Sequence, residues 1–257
     1  MHINLPPTLE KCNFYYKKPF EIFIIDNFLE WDDYFNLSEE VNSITNYSEV
    51  FYGEGEKQKT SITGGNIKNI SYPALTEFCR SIINDEFYQF FLNTHLDKFS
   101  SKLFRKHIIA PESFMFRVAR RLKNILRLPL SFFHIEVEVS QIPPGGRIIP
   151  HTDSKSKRLS LVLYLPSNRF EEKDSKVLGT IFYGKRRRTS DIRKFDCKML
   201  NNEEEKEFNN RYEAVHVADY KKNRCAGFIK NDISWHGVEV NSTKYARCAI
   251  VINIFES

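Results

Sequence analysis

PPGGRIIPHTDSKSKRLSLVLYLP, residues 143–166, sets His151 and Asp153 two positions apart at the mouth of an otherwise apolar, strand-like run. If RIIPHTD is extended, its period of two turns both side chains toward one side, where they can reach a common point. RLSLVLYL (158–165) reads as the next strand. Working outward, FHIEVEVSQI (133–142) precedes this pair. GTIFY (179–183), EAVHVAD (213–219), CAGFI (225–229), SWHGVEV (234–240) and YARCAIVINIF (245–255) follow it. Eight short strands in succession predict an antiparallel sandwich or barrel. In the last of them Ala249 and Val251 share one face and Cys248, Ile250, Ile252 and Ile254 the other. A strand apolar on both faces is covered on both sides.

The cover is expected from the first half of the chain. FEIFIIDNFL (20–29) reads as a strand running into a helix from Trp31 to Ile44, because Asp32 and Asp33 suit a first helical turn. Further helices are expected over 73–99 and 111–127. In the latter Met115, Val118, Leu122, Ile125 and Leu126 recur at helical spacing and leave the arginines on the wet side. The chain is therefore mainly β with N-terminal helices, an α+β arrangement. One domain over 1–257 is expected, with 1–132 as a mainly helical support and 133–257 as the β core. The charged insertion 184–211 reads as a loop with one short helix at Asn201–Asn210.

Bulk properties narrow the function classes. A formal net charge of +5 over 257 residues, without a long apolar run, predicts a soluble globular protein and no membrane partner. The segment MHINLPPTLEKCNFYYKK lacks a basic start followed by an apolar stretch, so a cytoplasmic location is expected. The five cysteines are scattered and free of CxxC spacing, which argues against a disulfide framework or a structural zinc site. KRRR at 185–188 could attract phosphates, but a solvated face is the stronger reading, so a nucleic-acid partner is not expected.

The chemistry is expected at His151 and Asp153, with His236 of SWHGVEV as the third member, since antiparallel strands bring distant residues together. Two imidazoles and one carboxylate form the set that holds non-haem Fe(II) and leaves positions open for a 2-oxo acid and dioxygen. A dicarboxylate such as 2-oxoglutarate also needs a cation at its far end. Arg247 suits that place on the next strand, because its planar fork matches a carboxylate. Tyr164 could add a phenolic hydrogen bond.

Over residues 134–254 the chain resembles the Fe(II)/2-oxoglutarate-dependent dioxygenases, in particular the prolyl-4-hydroxylase-like branch. The carriers are GGRIIPHTD, RLSLVLYL, GTIFY, KKNRCAGF and WHGVEV followed by YARCAIVINIF. The resemblance implies a double-stranded β-helix, a cupin-like jelly roll, covered by helices. It implies His151, Asp153 and His236 as catalytic iron ligands, and Arg247 with Tyr164 at the 2-oxoglutarate. It also implies dioxygen and, as a possible auxiliary, ascorbate. The implied reaction hydroxylates an unactivated C–H bond of a small molecule or peptide and releases succinate and carbon dioxide.

Gln141 stands where some relatives carry tyrosine, and Arg247 where animal and plant prolyl hydroxylases often carry lysine. Lys244 is the alternative anchor. Asn253 stands where nucleic-acid demethylases usually carry a second arginine, which argues against a nucleobase substrate. The competing readings are a non-catalytic jelly-roll binding module, against which the intact residue set speaks, a nucleic-acid-directed oxygenase, and a halogenase, which would lack the carboxylate of Asp153. Substrate identity and oligomeric state are not legible at this level.

Overall fold

Strands β7 (Lys157–Tyr164) and β12 (Arg247–Glu256), largely apolar on both faces, lie side by side near the middle of a large antiparallel sheet. The computed structural model describes residues 1–44, 48–52, 55–63, 71–83, 133–186, 200 and 202–256, with isolated positions between 86 and 125. The remaining strands of the large sheet are β1 (Phe14–Tyr16), β2 (Ile22–Asp26), β3 (Ser48–Tyr52), β4 (Gly55–Thr63), β5 (Phe133–Ile142) and β10 (Arg224–Ile229). Its order is β1-β2-β10-β7-β12-β5-β4-β3. A smaller sheet, ordered β6-β11-β8-β9, is built from β6 (Ile148–His151), β8 (Thr180–Lys185), β9 (Tyr212–Ala218) and β11 (His236–Val238).

The two faces of the large sheet do different work. On one, Ile135, Val137 and Val139 of β5, Leu159, Leu161 and Leu163 of β7 and Ile250, Ile252 and Ile254 of β12 join a continuous apolar core with two helices. Helix α1 (Trp31–Asn42) gives it Tyr34, Leu37 and Val41, and α2 (Pro73–Ile82) gives it Leu75, Phe78, Cys79 and Ile82, spacings that keep one helical stripe inward. The Glu40 carboxylate of α1 accepts the backbone N–H groups of Ala74 and Leu75 at 3.1 and 2.8 Å, satisfying orphan donors at the start of α2. On the opposite face Val162, Tyr164, Ala226, Phe228 and Ala249 pack against Phe182 of β8 and Ala218 of β9, so the two sheets form a sandwich.

All eight strands expected downstream of residue 132 are present, with shifts of a few residues at their ends. The strand expected over 20–29 is β2, and the helix expected over 31–44 is α1. The 73–99 helix is described as far as Ile82 in α2, with Phe87 and Phe91 buried in the same core. Its remainder and nearly all of the 111–127 helix lie outside the described residues. The strand β1 and the hairpin β3–β4, whose second strand extends the large sheet by pairing with β5, were not anticipated. In that hairpin the polar run GEKQKTSIT lacks the apolar alternation by which strands are read. Among the described residues no helix is long and apolar enough to cross a membrane.

The insertion ends in helix α3 (Asn202–Arg211), near the expected position. Phe208 of α3 packs with Leu200, Tyr183, Ile149, Ile181 and Trp235 in a third cluster, and Arg147 pairs with Glu205 through two hydrogen bonds of 2.9 and 3.1 Å. This end of the insertion is thus tied to the smaller sheet beside the strands that carry the histidines, while residues 187–199 lie outside the described residues.

Candidate metal and anion site

His151 ends β6 and His236 begins β11, and the two are direct partners in the antiparallel register. The next pairing joins Val238 to Ile148, so β6 carries one residue more than its partner over this stretch. Such a bulge breaks the alternation. Both His151 and Ile148 line the cavity, whereas Ile149 joins the third cluster with α3. Gly237, between the two cavity-facing residues of β11, permits the close approach: a Cβ there would lie 2.7 Å from the Ile148 carbonyl oxygen.

Each imidazole is oriented by the backbone. His151 Nδ1 lies 3.0 Å from the Ile149 carbonyl and His236 Nδ1 lies 3.0 Å from the Ser234 carbonyl. A carbonyl oxygen only accepts, so both Nδ1 atoms carry the proton and the lone pairs sit on the Nε2 atoms. Both Nε2 atoms are 3.8 Å from the Asp153 carboxylate, His151 from Oδ1 and His236 from Oδ2. One donor atom from each of the three residues falls within 4.8 Å of the others. Burial, reinforced by the neighbouring His236, pushes His151 down to about 3, so it is neutral at ordinary pH. Burial, the largest single influence, would raise the Asp153 carboxyl, but Lys157, His236 and His151 together outweigh it and hold the group well below the usual carboxylate range.

Two imidazole nitrogens and an ionised carboxylate oxygen are the donors a divalent transition-metal ion takes, and the carbonyl contacts behind the imidazoles are the orienting partners such ligands use. Asp153 Oδ2 is buried and has no hydrogen-bond partner among the described residues. An ionised oxygen left so is costly unless a cation meets it, and a metal ion fits the three residues.

The three residues line a cavity of about 280 Å³ between the sheets. The large sheet supplies its wall through the inward face of each strand: Glu138 and Ser140 of β5, Ser160 and Val162 of β7, and Arg247, Val251 and Asn253 of β12. Ser160 donates to Asn253 Oδ1 at 2.7 Å, which fixes that amide. Arg247 is only 2% exposed. Its Nε donates to the Leu178 carbonyl at 2.7 Å and its Nη2 to Thr180 Oγ1 at 3.1 Å, while the Tyr164 and Tyr220 rings lie 5.2 and 5.8 Å from its central carbon. No carboxylate among the described residues pairs with it. A buried guanidinium facing a cavity without a counter-ion among the described residues has the chemistry to receive an anionic group.

Four of the five residues singled out from the sequence, His151, Asp153, His236 and Arg247, therefore line one cavity. Tyr164 does not. Its hydroxyl donates to Thr180 Oγ1 at 2.7 Å, with the Ala218 carbonyl at 3.2 Å, and accepts from the Thr180 N–H at 3.2 Å. It stands behind Thr180 and beside Arg247 rather than at the cavity surface. Lys244 is exposed and lies 3.4 Å from Glu171, and Gln141 reaches Cys248 Sγ; neither lines the cavity. His216 stacks on Phe14 with ring centroids 4.0 Å apart, outside the three-residue cluster. Sequence reasoning missed Thr180, Ser140, Ser160 and Lys157. The first three sit at inward positions of expected strands, and counting by two from Val162 along β7 would have found Ser160.

No protein-family model matches the sequence, and no curated protein matches it. Solved structures do match the fold. A prolyl-4-hydroxylase from Pseudomonas putida aligns over 92% of this chain and 93% of its own, at 14% identity and a TM-score of 0.51. A prolyl hydroxylase from Trichoplax adhaerens, solved with a peptide fragment of the hypoxia inducible factor oxygen degradation domain, aligns over 91% of this chain and 83% of its own, at 13% identity and a TM-score of 0.50. An oxidoreductase of the 2OG-Fe(II) oxygenase family from Burkholderia pseudomallei aligns over 91% and 85%, at 9% identity and a TM-score of 0.51. At these identities the likeness is one of fold, and at that level the resemblance to prolyl-4-hydroxylase-like oxygenases holds.

Proposed function

We propose that the chain, over 1–257, is a single Fe(II)- and 2-oxoglutarate-dependent oxygenase domain of double-stranded β-helix type that hydroxylates a C–H bond of a small molecule or peptide. The observation that carries this reading is the pairing, in one cavity, of a two-histidine, one-carboxylate cluster with a buried arginine that has no carboxylate partner among the described residues. His151 Nε2, His236 Nε2 and an Asp153 oxygen would hold the iron. Arg247 would take the distal carboxylate of 2-oxoglutarate, with Thr180 holding the guanidinium in place and Tyr164 holding Thr180. When bound, iron supplies the oxidative chemistry with dioxygen, and 2-oxoglutarate leaves as succinate and carbon dioxide.

The protein's own part is to bind, orient and exclude water. The carbonyls of Ile149 and Ser234 keep both imidazoles in the tautomer that offers Nε2. Val162, Val251 and Phe228 give the cavity apolar surface next to these polar groups. The peptide bound to the Trichoplax adhaerens enzyme supports including peptides in the substrate class. The test is anaerobic addition of Fe(II) and 2-oxoglutarate, read by the charge-transfer absorption of their complex, followed by succinate release in air with candidate substrates. Absence of that absorption in the wild-type protein overturns the reading.

A further inference from the structure

The cavity wall beside Asp153 carries a second charge, to which the proposed reaction gives no task. Lys157 Nζ lies 2.9 Å from Asp153 Oδ1, and the two side chains are 13% and 10% exposed. A local slip of register aims this lysine. Strict alternation along β7 would put Arg158, Ser160, Val162 and Tyr164 on the cavity side and Lys157 on the helix side with Leu159. The pairing with β12 slips at that end, where Ile254 meets Leu159 but Phe255 meets Lys157. The extra residue, Arg158, is directed to Glu256 at 2.6 Å, and Lys157 lines the cavity instead. Bulges re-aim side chains in this way beside functional sites.

Lys157 occupies one carboxylate oxygen only. Oδ2 is the buried oxygen without a hydrogen-bond partner among the described residues, on the side of His236. We propose that Lys157 is a positioning residue that reserves Asp153 Oδ1 for itself, so that a divalent ion is held through Oδ2 alone and a position that a two-oxygen grip would fill stays open to exchangeable ligands. This inference rests on the metal site of the proposed function. Two effects fix its sign. An ammonium beside the carboxylate repels a divalent cation across a poorly solvated gap, and it withholds the second oxygen. Both weaken metal binding. Against them stands only the orientation that Lys157 gives to a carboxylate already confined by burial, so the net effect of Lys157 is a weaker but more open metal site.

The test is calorimetric titration of the full chain with Co(II), together with its visible d–d absorption, for wild type, Lys157→Met and Lys157→Arg. Lys157→Met is expected to bind Co(II) about ten-fold or more tightly and to change the d–d spectrum as the second oxygen enters. Lys157→Arg, which keeps a cationic donor on Oδ1, is expected to retain the wild-type spectrum. Circular dichroism checks the fold, and Lys157→Gln replaces Lys157→Met, with the same expectation, if the latter does not fold. Equal or weaker Co(II) binding by the neutral variant overturns the inference and leaves the metal site standing. So does tighter binding with an unchanged spectrum, because charge alone then accounts for the gain. If the wild-type protein binds no Co(II), the metal site itself fails and the inference falls with it.

Discussion

The two faces of strands β5, β7 and β12 are made from the same backbone and solve opposite problems. Toward α1 and α2 they present Ile, Leu and Val at every second position over most of their length. Toward the smaller sheet they present Glu138, Ser140, Ser160, Arg247 and Asn253 among a few apolar side chains, and a cavity remains. Burial of the first face supplies the driving force that tolerates the second, where a charged guanidinium and the Ser140 hydroxyl are held out of bulk water. Stability and chemistry are thus separated by a single step along the chain.

That separation can be broken from either side. The largest effect is expected from His151→Ala, Asp153→Ala and His236→Ala, each of which should abolish measurable Co(II) binding by calorimetry while leaving a cooperative thermal transition. Full metal binding by any of them would remove that residue from the set. On the other face, Ile252→Ala deletes packing in the helix-side core and should cost about 2–5 kcal/mol in urea unfolding, while any folded fraction binds metal as wild type does. A variant that lost metal affinity in the folded state would show that the faces are coupled.

Arg247→Ala should weaken 2-oxoglutarate binding by about 2–5 kcal/mol, the range for removing one partner of a desolvated charge pair, with Co(II) affinity unchanged. Protonation offers a finer probe. His151 is held down to about 3 in the folded protein, whereas an unfolded histidine titrates near about 6.5. Between these values the unfolded chain binds the extra proton, so stability of the metal-free protein should fall as pH drops below about 6.5. His216, also lowered by burial, acts in the same direction. Thermal melts of metal-free protein that are flat from pH 7 to pH 5 would contradict this. The smallest effect is expected from Tyr164→Phe, which removes hydrogen bonds to Thr180 and Ala218. It should cost roughly 1 kcal/mol of stability with little change in 2-oxoglutarate affinity.

Much of this arrangement was legible before any coordinates. Apolar residues on both faces of β12 announced a strand covered on both sides, and His151, Asp153 and His236 could be picked out because each sat in an extended segment. The setting of Tyr164 is one that alternation cannot reveal. It faces inward as expected, but the Thr180 side chain stands between its hydroxyl and the cavity. Lys157 was invisible because alternation assigns it to the wrong face, and only the slipped register against β12 corrects this. The hairpin β3–β4 escaped because strands recruited to a sheet edge by backbone pairing need no apolar pattern of their own.

The direct cross-strand pairing of His151 with His236 has a consequence for how the protein comes into being. The two residues are far apart in the chain, and β11 enters the smaller sheet only between β6 and β8. An isolated 143–166 segment carries one imidazole and the carboxylate, and the other imidazole arrives only when the loop between β6 and β11 has closed. Closing such a loop is the slow, entropically expensive part of assembling a β topology. High-affinity metal capture should therefore be among the last events of folding, and the rate at which refolding chains acquire Co(II) absorption becomes a clock for completion of the sandwich.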